Sequence, residues 1–267
     1  MRASSRRGNT LTGKVKMLSR REHERYGRQI LLFGEDGQEK LKEAEIFIAG
    51  AGGLGSPVAI YLAVAGIGTL TVVDSDVVDQ SNLNRQILHY DRDIGKKKAI
   101  SAGEKLREIN PDVIIRAIDA HIDEANAEEL VGSADGIVDA MDNYPTRYLL
   151  NRIALGKGIP LFHGAIRGLY GQATTIIPGE TPCLSCIFPK PPPAEVFPVV
   201  GVTPGLIAMV QATEVLKFLL GTGNLLSNRL FLWDGMQAQA SEICVERNPC
   251  CEVCGDGRTG EPVRRKR

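Results

Sequence analysis

Two constellations in this sequence have the residue types and spacing to do chemistry. The first is Gly50-x-Gly52-x-x-Gly55, set directly after the apolar run Ile46-Phe47-Ile48-Ala49. Glycines there let the backbone approach a phosphate, and the unpaired amides and dipole of a following helix favour negative charge. Alone, the pattern suits a dinucleotide oxidoreductase as well as an ATP-binding enzyme. Its surroundings shift the balance. Arg85 and Lys98 bring more positive charge than a dinucleotide's diphosphate calls for, and Asp142 offers the oxygen ligand that Mg²⁺ prefers. Together they favour ATP and nucleotidyl or phosphoryl transfer over hydride transfer, with catalysis mainly by positioning and charge stabilisation.

The second constellation is Cys183-x-x-Cys186 with Cys251-x-x-Cys254. Four thiolates suit a closed, tetrahedral, structural Zn²⁺ site. The 64 residues between Cys186 and Cys251 are many for a zinc ribbon, so such a site would pin a C-terminal hairpin to the main body. Only Cys251 forms C-x-x-C with Cys254, which leaves Cys244 and Cys250 over. Among His23, His89, His121 and His163 there is no ligand-like pair, and His163 reads as a core residue.

These groups need strand ends and helix starts to hold them. Ser19-x-x-Glu22 is a capping box opening a short helix, and a second short helix spans 37–42. Strands are expected at 46–49, 68–74, 113–118, 136–140 and from 160, alternating with helices at 56–65, 96–109, 124–131 and 146–156. That alternation predicts an α/β fold, a Rossmann-like doubly wound and mostly parallel sheet with right-handed crossovers. Ligands then bind beyond the carboxyl ends of the strands, where Gly50, Asp74 and Asp142 fall. From 165 the rhythm changes to an antiparallel part: a hairpin of 161–167 and 170–177, a Pro-rich crossing segment over 188–204, a helix at 204–220, and strands at 229–234 and 240–246.

Composition sets the bounds. Lys+Arg and Asp+Glu both number 32, so nothing attracts nucleic acid or an anionic membrane in general. The apolar run 206–220 is interrupted by Gln211, Glu214 and Lys217, so no membrane span is expected. The basic start has no apolar core of a secretory signal, and the six cysteines then read as ligands or thiols of a cytoplasmic protein rather than as disulfides. A flexible basic arm is expected over 1–18, one domain over 19–255 (nucleotide-binding part 40–164, antiparallel and zinc part 165–255), and a flexible tail over 256–267.

One stretch makes a resemblance plain. Asp74-x-Asp76-x-Val78-x-x-Ser81-Asn82-Leu83-x-Arg85-Gln86 joins Arg25-x-x-Arg28-Gln29-Ile30, the Gly-rich loop, a lysine after Gly95, Asp139-x-x-Asp142-Asn143 and the paired C-x-x-C. From about Arg25 to Gly255 the chain resembles the ThiF/MoeB/HesA family, relatives of ubiquitin-activating enzymes. The resemblance implies adenylation, with Mg·ATP, of the C-terminal Gly-Gly carboxylate of a small β-grasp sulfur-carrier protein, followed by attack of sulfur. It implies that Gly50, Gly52, Gly53 and Gly55 line the nucleotide loop, with Asp74 on the ribose and Asp76 nearby. Asn82, Arg85, Gln86 and Lys98 would face the phosphates, Asp142 would hold Mg²⁺ beside Asn143, and Arg28 would reach the partner site of a homodimer. Cys183, Cys186, Cys251 and Cys254 match its zinc ligands. The departure is a crossing segment without the cysteine that many relatives carry, which implies a separate sulfur donor. Three alternatives stand beside this reading: an NAD- or FAD-linked oxidoreductase, a catalytically inactive nucleotide-binding scaffold, and adenylation of a small-molecule or RNA-borne carboxylate.

Overall fold

The computed structural model describes residues 17–191 and 198–255. The expected tail, nearly all of the expected arm and the middle of the crossing segment lie outside the described residues. Helix α1 (Arg20–Glu43) opens on the capping box expected at Ser19 and Glu22. It joins the two short helices of the sequence reading, broken only at Gly34, whose φ of +74° is open to glycine at little cost. Strand β1 (Glu45–Ala49) runs into α2 (Gly55–Ala65), then β2 (Thr69–Val73), α3 (Lys98–Ile109) and β3 (Ile114–Ile118). Next come α4 (Ala127–Val131), β4 (Gly136–Asp139), α5 (Tyr144–Lys157) and β5 (Leu161–Arg167). Helix α4 starts later than expected because the Asp123 carboxylate accepts from the amides of Ala125 and Asn126, closing a turn first. Likewise α3 starts at Lys98, after an extended Lys97.

Strands β6 (Tyr170–Ile176), β7 (Arg229–Asp234) and β8 (Gln239–Cys244) complete one sheet among the described residues, ordered β3-β2-β1-β4-β5-β6-β7-β8. Pairing is parallel from β3 through β5 and antiparallel from β5 to β8. The fold is therefore the expected doubly wound α/β sheet with an antiparallel continuation. Because β1 pairs with β2 on one side and with β4 on the other, the chain reverses direction across the sheet there. A crevice opens at that switch point.

Both faces of the sheet are covered at its centre, over β1, β2 and β4, while β8 is exposed along its length. One core gathers α2, α3 and α7 (Val202–Leu220) over residues such as Ile46, Ile48 and Val72; the other packs α4, α5 and α6 (Leu184–Ile187) over Phe47 and Ile137. Helix α7 is long and apolar enough to cross a membrane by length and composition. In the fold it lies against α2, β5 and β6, and its polar residues are used. Gln211 donates to the carbonyls of Asp139 and Phe162, while Glu214 accepts from Thr175 and the Leu226 amide and pairs with Lys217.

Candidate active site and cysteine cluster

At the switch point a cavity of about 310 Å³ lies beyond β1, β2 and β4. Its floor is the turn 50–54. Gly50 sits at φ +98°, and a Cβ there would stand 2.9 Å from the Ala140 carbonyl. Gly55 stands behind the turn: a Cβ on it would fall 1.9 Å from the Gly50 oxygen, so only glycine lets α2 start so close to β1. A Cβ on Gly52 would meet only Gln86 Nε2, at 3.7 Å, and would project into the cavity. Among the described residues the amides of Gly52, Gly53 and Leu54 donate to nothing. This is a cradle shaped for an anion.

The turn's polar groups are held from a distance. Asp74, at the end of β2, accepts from the Ala51 amide at 2.8 Å and from the Asp76 amide at 2.8 Å. The Ala51 carbonyl accepts from Ser56 Oγ and from His89 Nε2. Burial pushes His89 down from the ordinary histidine range, so it is neutral. On the wall, Arg85 is braced against the Ser81 carbonyl and Asn84, and buried Lys98 meets Asp76 at 2.8 Å. Asp142 faces the cavity with no hydrogen bond or ion pair among the described residues, and Asn143 caps α5 through the Thr146 amide.

Beneath the loop that carries Asp142 lies a buried cluster that the sequence reading did not single out. Burial pushes Asp139 up, but the Arg147 guanidinium and a hydrogen bond from His163 outweigh it and hold the carboxyl below its usual range. His163 Nδ1 donates to Asp139 at 2.7 Å, and burial keeps the ring neutral, so its buried Nε2 is an acceptor with no partner among the described residues. Arg147 Nε and Nη2 donate to the Met141 carbonyl, and Nη2 also to Gly164. The ion pair thus clamps the chain one residue before Asp142. Asp139 opens the D-x-x-D-N motif and could have been found from it; Arg147 carries no such signal.

The structure gathers Gly50, Gly52, Gly53, Asp74, Asp76 and Arg85 around the cavity, with Gln86, Lys98, Asp142 and Asn143. Asn82 is not in that lining. Its side chain accepts from the Asp79 amide and closes the turn before Arg85. Arg28 is not there either: it is exposed on α1.

The four cysteines converge. Sγ–Sγ distances are 3.9 Å for Cys183–Cys186, 3.7 Å for Cys183–Cys251 and 3.4 Å for Cys186–Cys254, and all four sulfurs lie within 4.8 Å of one another. A tetrahedron with Zn–S arms of about 2.3 Å has edges of about 3.8 Å, so the thiols fit such an ion. Burial, reinforced by the neighbouring thiols, pushes Cys183 up; a bound cation would reverse this. Cys244 and Cys250 are exposed and outside the cluster.

The model of the ThiF family matches residues 26–253. The chain belongs to the ThiF family. It is 45% identical over 242 residues to the SAMP-activating enzyme E1 of Haloferax volcanii, covering 88% of this chain and 89% of that one. It is 42% identical over 261 residues to the sulfur carrier protein adenylyltransferase of Thermus thermophilus, covering 93% and 95%. Among solved structures, E. coli MccB with ATP superposes with a TM-score of 0.76 at 25% identity, over 86% of this chain and 73% of that one. This ThiF protein is an enzyme, a nucleotidyltransferase of the adenylyltransferase kind.

The two neutral buried histidines set a pH dependence. In the unfolded chain a histidine takes a proton near about pH 6.5. The folded rings of His89 and His163 do so only at lower pH, so below that value the unfolded state binds more protons and stability falls with acidification. Exposed His23, raised by the Ser19 carbonyl, works the other way, so the decisive comparison is between variants. His163→Asn should be less stable throughout but lose less between pH 7 and 5.5 in urea titrations. An unchanged slope would show that His163 does not stay neutral in the fold.

Proposed function

We propose that the protein uses Mg·ATP to adenylate the C-terminal Gly-Gly carboxylate of a small ubiquitin-like sulfur-carrier protein, releasing pyrophosphate. The observation that carries this reading is that the undonated amides of Gly52–Leu54 and the unengaged carboxylate of Asp142 face one cavity. The first is suited to phosphate oxygens and the second to Mg²⁺, which when bound would neutralise phosphate charge. The names of the Haloferax and Thermus relatives support a protein carrier. In this reading Asp74 holds the ribose and the turn 50–54 seats the phosphates. Arg85 and Lys98 spread the charge that develops as the carrier's carboxylate displaces pyrophosphate. Asp76 holds Lys98 in place, and Asn82 and Gln86 support the same wall.

A separate sulfur donor completes the reaction in this proposal, because residues 188–204 contain no cysteine. Zinc at Cys183, Cys186, Cys251 and Cys254 ties the C-terminal segment to α6. A homodimer belongs to this reading, and α1 supports it. Arg25, Tyr26 and Gln29 are bound to their own subunit through Ile109, Asn110 and Ala65. Arg28, Leu31 and Leu32 point outward at i, i+3, i+4, with the two leucines 82% and 84% exposed. In this reading a second copy covers that stripe and receives Arg28 at its site. We place the domain over 19–255 and the enzyme in the cytoplasm.

ATP–pyrophosphate exchange tests the reading. Exchange should appear only when one Gly-Gly carrier of the same organism is added, and Asp142→Asn should lower it about 100-fold or more with unfolding temperature unchanged. Exchange without any carrier, driven by a small carboxylate or an RNA, would move the substrate class. Inactive Arg28→Ala chains mixed with inactive Asp142→Ala chains should regain part of the activity; none in demonstrably mixed dimers would remove the shared site. The purified protein should hold about one zinc per chain, as four thiolates close one site. Cys254→Ser should lose it and unfold at lower temperature, and an equal zinc content would place the metal elsewhere.

A further inference from the structure

The Ala51–Gly52 peptide is held on one side only. A peptide unit is planar and trans, so its carbonyl and its N–H point in opposite directions. The Ala51 carbonyl is turned into the protein, where Ser56 Oγ meets it at 2.9 Å and His89 Nε2 at 3.0 Å. The Gly52 N–H must then point out into the cavity. The two grips differ in what they tie. Ser56 belongs to the helix that continues the turn and would move with it. His89 comes from 38 residues further along and is 4% exposed, so it fixes the turn to the body of the fold.

Donors and acceptors along this contact have one consistent order. Lys105 can only donate. It donates to Ser101 Oγ at 2.8 Å and pairs with Asp93 at 2.5 Å, both buried. At the other end the Ala51 carbonyl can only accept, so the neutral ring carries its hydrogen on Nε2 and donates it there. Nδ1 is then an acceptor, and Ser101 Oγ, accepting from Lys105, donates its own hydrogen to it at 2.9 Å.

We propose that His89 is a positioning residue of the nucleotide cradle. Through the Ala51 carbonyl it aims the Gly52 amide at the phosphates, in the tautomer that this carbonyl selects and Ser101 supports from the other side of the ring. This rests on the reading that the cavity takes ATP. Because it acts on phosphate binding alone, His89 separates from a residue that merely supports the fold.

Calorimetric titration with Mg·ATP and with adenosine tests it. His89→Leu should weaken ATP about tenfold, the loss of one net hydrogen bond's worth of alignment, while adenosine changes less than about twofold. His89→Gln should recover most of the loss, since its amide nitrogen lies as many bonds from Cβ as Nε2 does. Ser101→Ala, which touches neither the turn nor the cavity, should weaken ATP about threefold by leaving Nδ1 without its donor and the ring less firmly held, and it serves if His89→Leu fails to fold. Equal weakening of ATP and adenosine, or no weakening of either, would overturn the proposal. A wild-type protein that binds ATP no better than adenosine would instead overturn the reading of the cavity, and this proposal with it.

Discussion

Where β1 parts from β4 at the mouth of the crevice, their last backbone groups have no neighbouring strand to pair with. An unpaired buried amide or carbonyl costs about as much as a lost hydrogen bond, so each must find a partner elsewhere. The fold answers with side chains, most of them brought from far along the sequence. Asp74 takes the Ala51 amide, His89 the Ala51 carbonyl, Arg147 the Met141 and Gly164 carbonyls, and Gln211 the Asp139 carbonyl. These bonds hold the crevice open by satisfying its walls. What they leave unsatisfied, the amides of Gly52–Leu54, is what faces the cavity.

The charges follow the same division. Deep in the wall, Asp139 and Arg147 are each about nine-tenths buried or more and pair with one another, so their charges are spent on structure. Removing either would leave an uncompensated buried charge, which costs far more than the pair contributes. Nearer the surface the pairing loosens. Lys98 is buried, but its partner Asp76 is 66% exposed, and Asp142 has no partner among the described residues. A gradient from closed pairs to open groups runs from the sheet to the cavity. It explains how one small region can be rigid and still keep charge for a ligand.

What the sequence disclosed and what it hid divide along separation in the chain. Strand β1, the Gly-rich turn and α2 are contiguous, and their periodicity and glycines mark them without reference to anything else. The switch to antiparallel pairing was readable because Gly168 and Leu169 are too short a link for a crossover helix. Local turn chemistry was less visible: the Asp123 turn shortened α4, and Asn82 closes the turn before Arg85. The clamps of the crevice were not visible at all. Arg147 and His89 reach partners that only the folded topology brings near, and an arginine or histidine in a helix or loop has no spacing that announces such a role. His163 was read correctly as core, while its bond to Asp139 needed the sheet register that sets the two side by side.

The cysteines carry the same argument into chemistry. Four thiols from two distant pairs meet with the spacing of one tetrahedral ion, which uses up the sulfur nearest α5 and α6. Cys244 ends β8 at the open edge of the sheet, paired opposite Arg229, and Cys250 is exposed beside the cluster; neither lines the cavity. For the proposed reaction this matters. An acyl-adenylate formed at the cradle finds no thiol among the groups around it, so the energy of the phosphoanhydride stays in the mixed anhydride until sulfur arrives from outside the chain. In that proposal the water-facing side of the cavity admits two reactants in turn, first a carrier's C-terminus and then a sulfur donor. A site formed largely by backbone at strand ends, with His89 and Asp139 buried beneath it, is suited to such an exchange because these two supports stay out of the cavity.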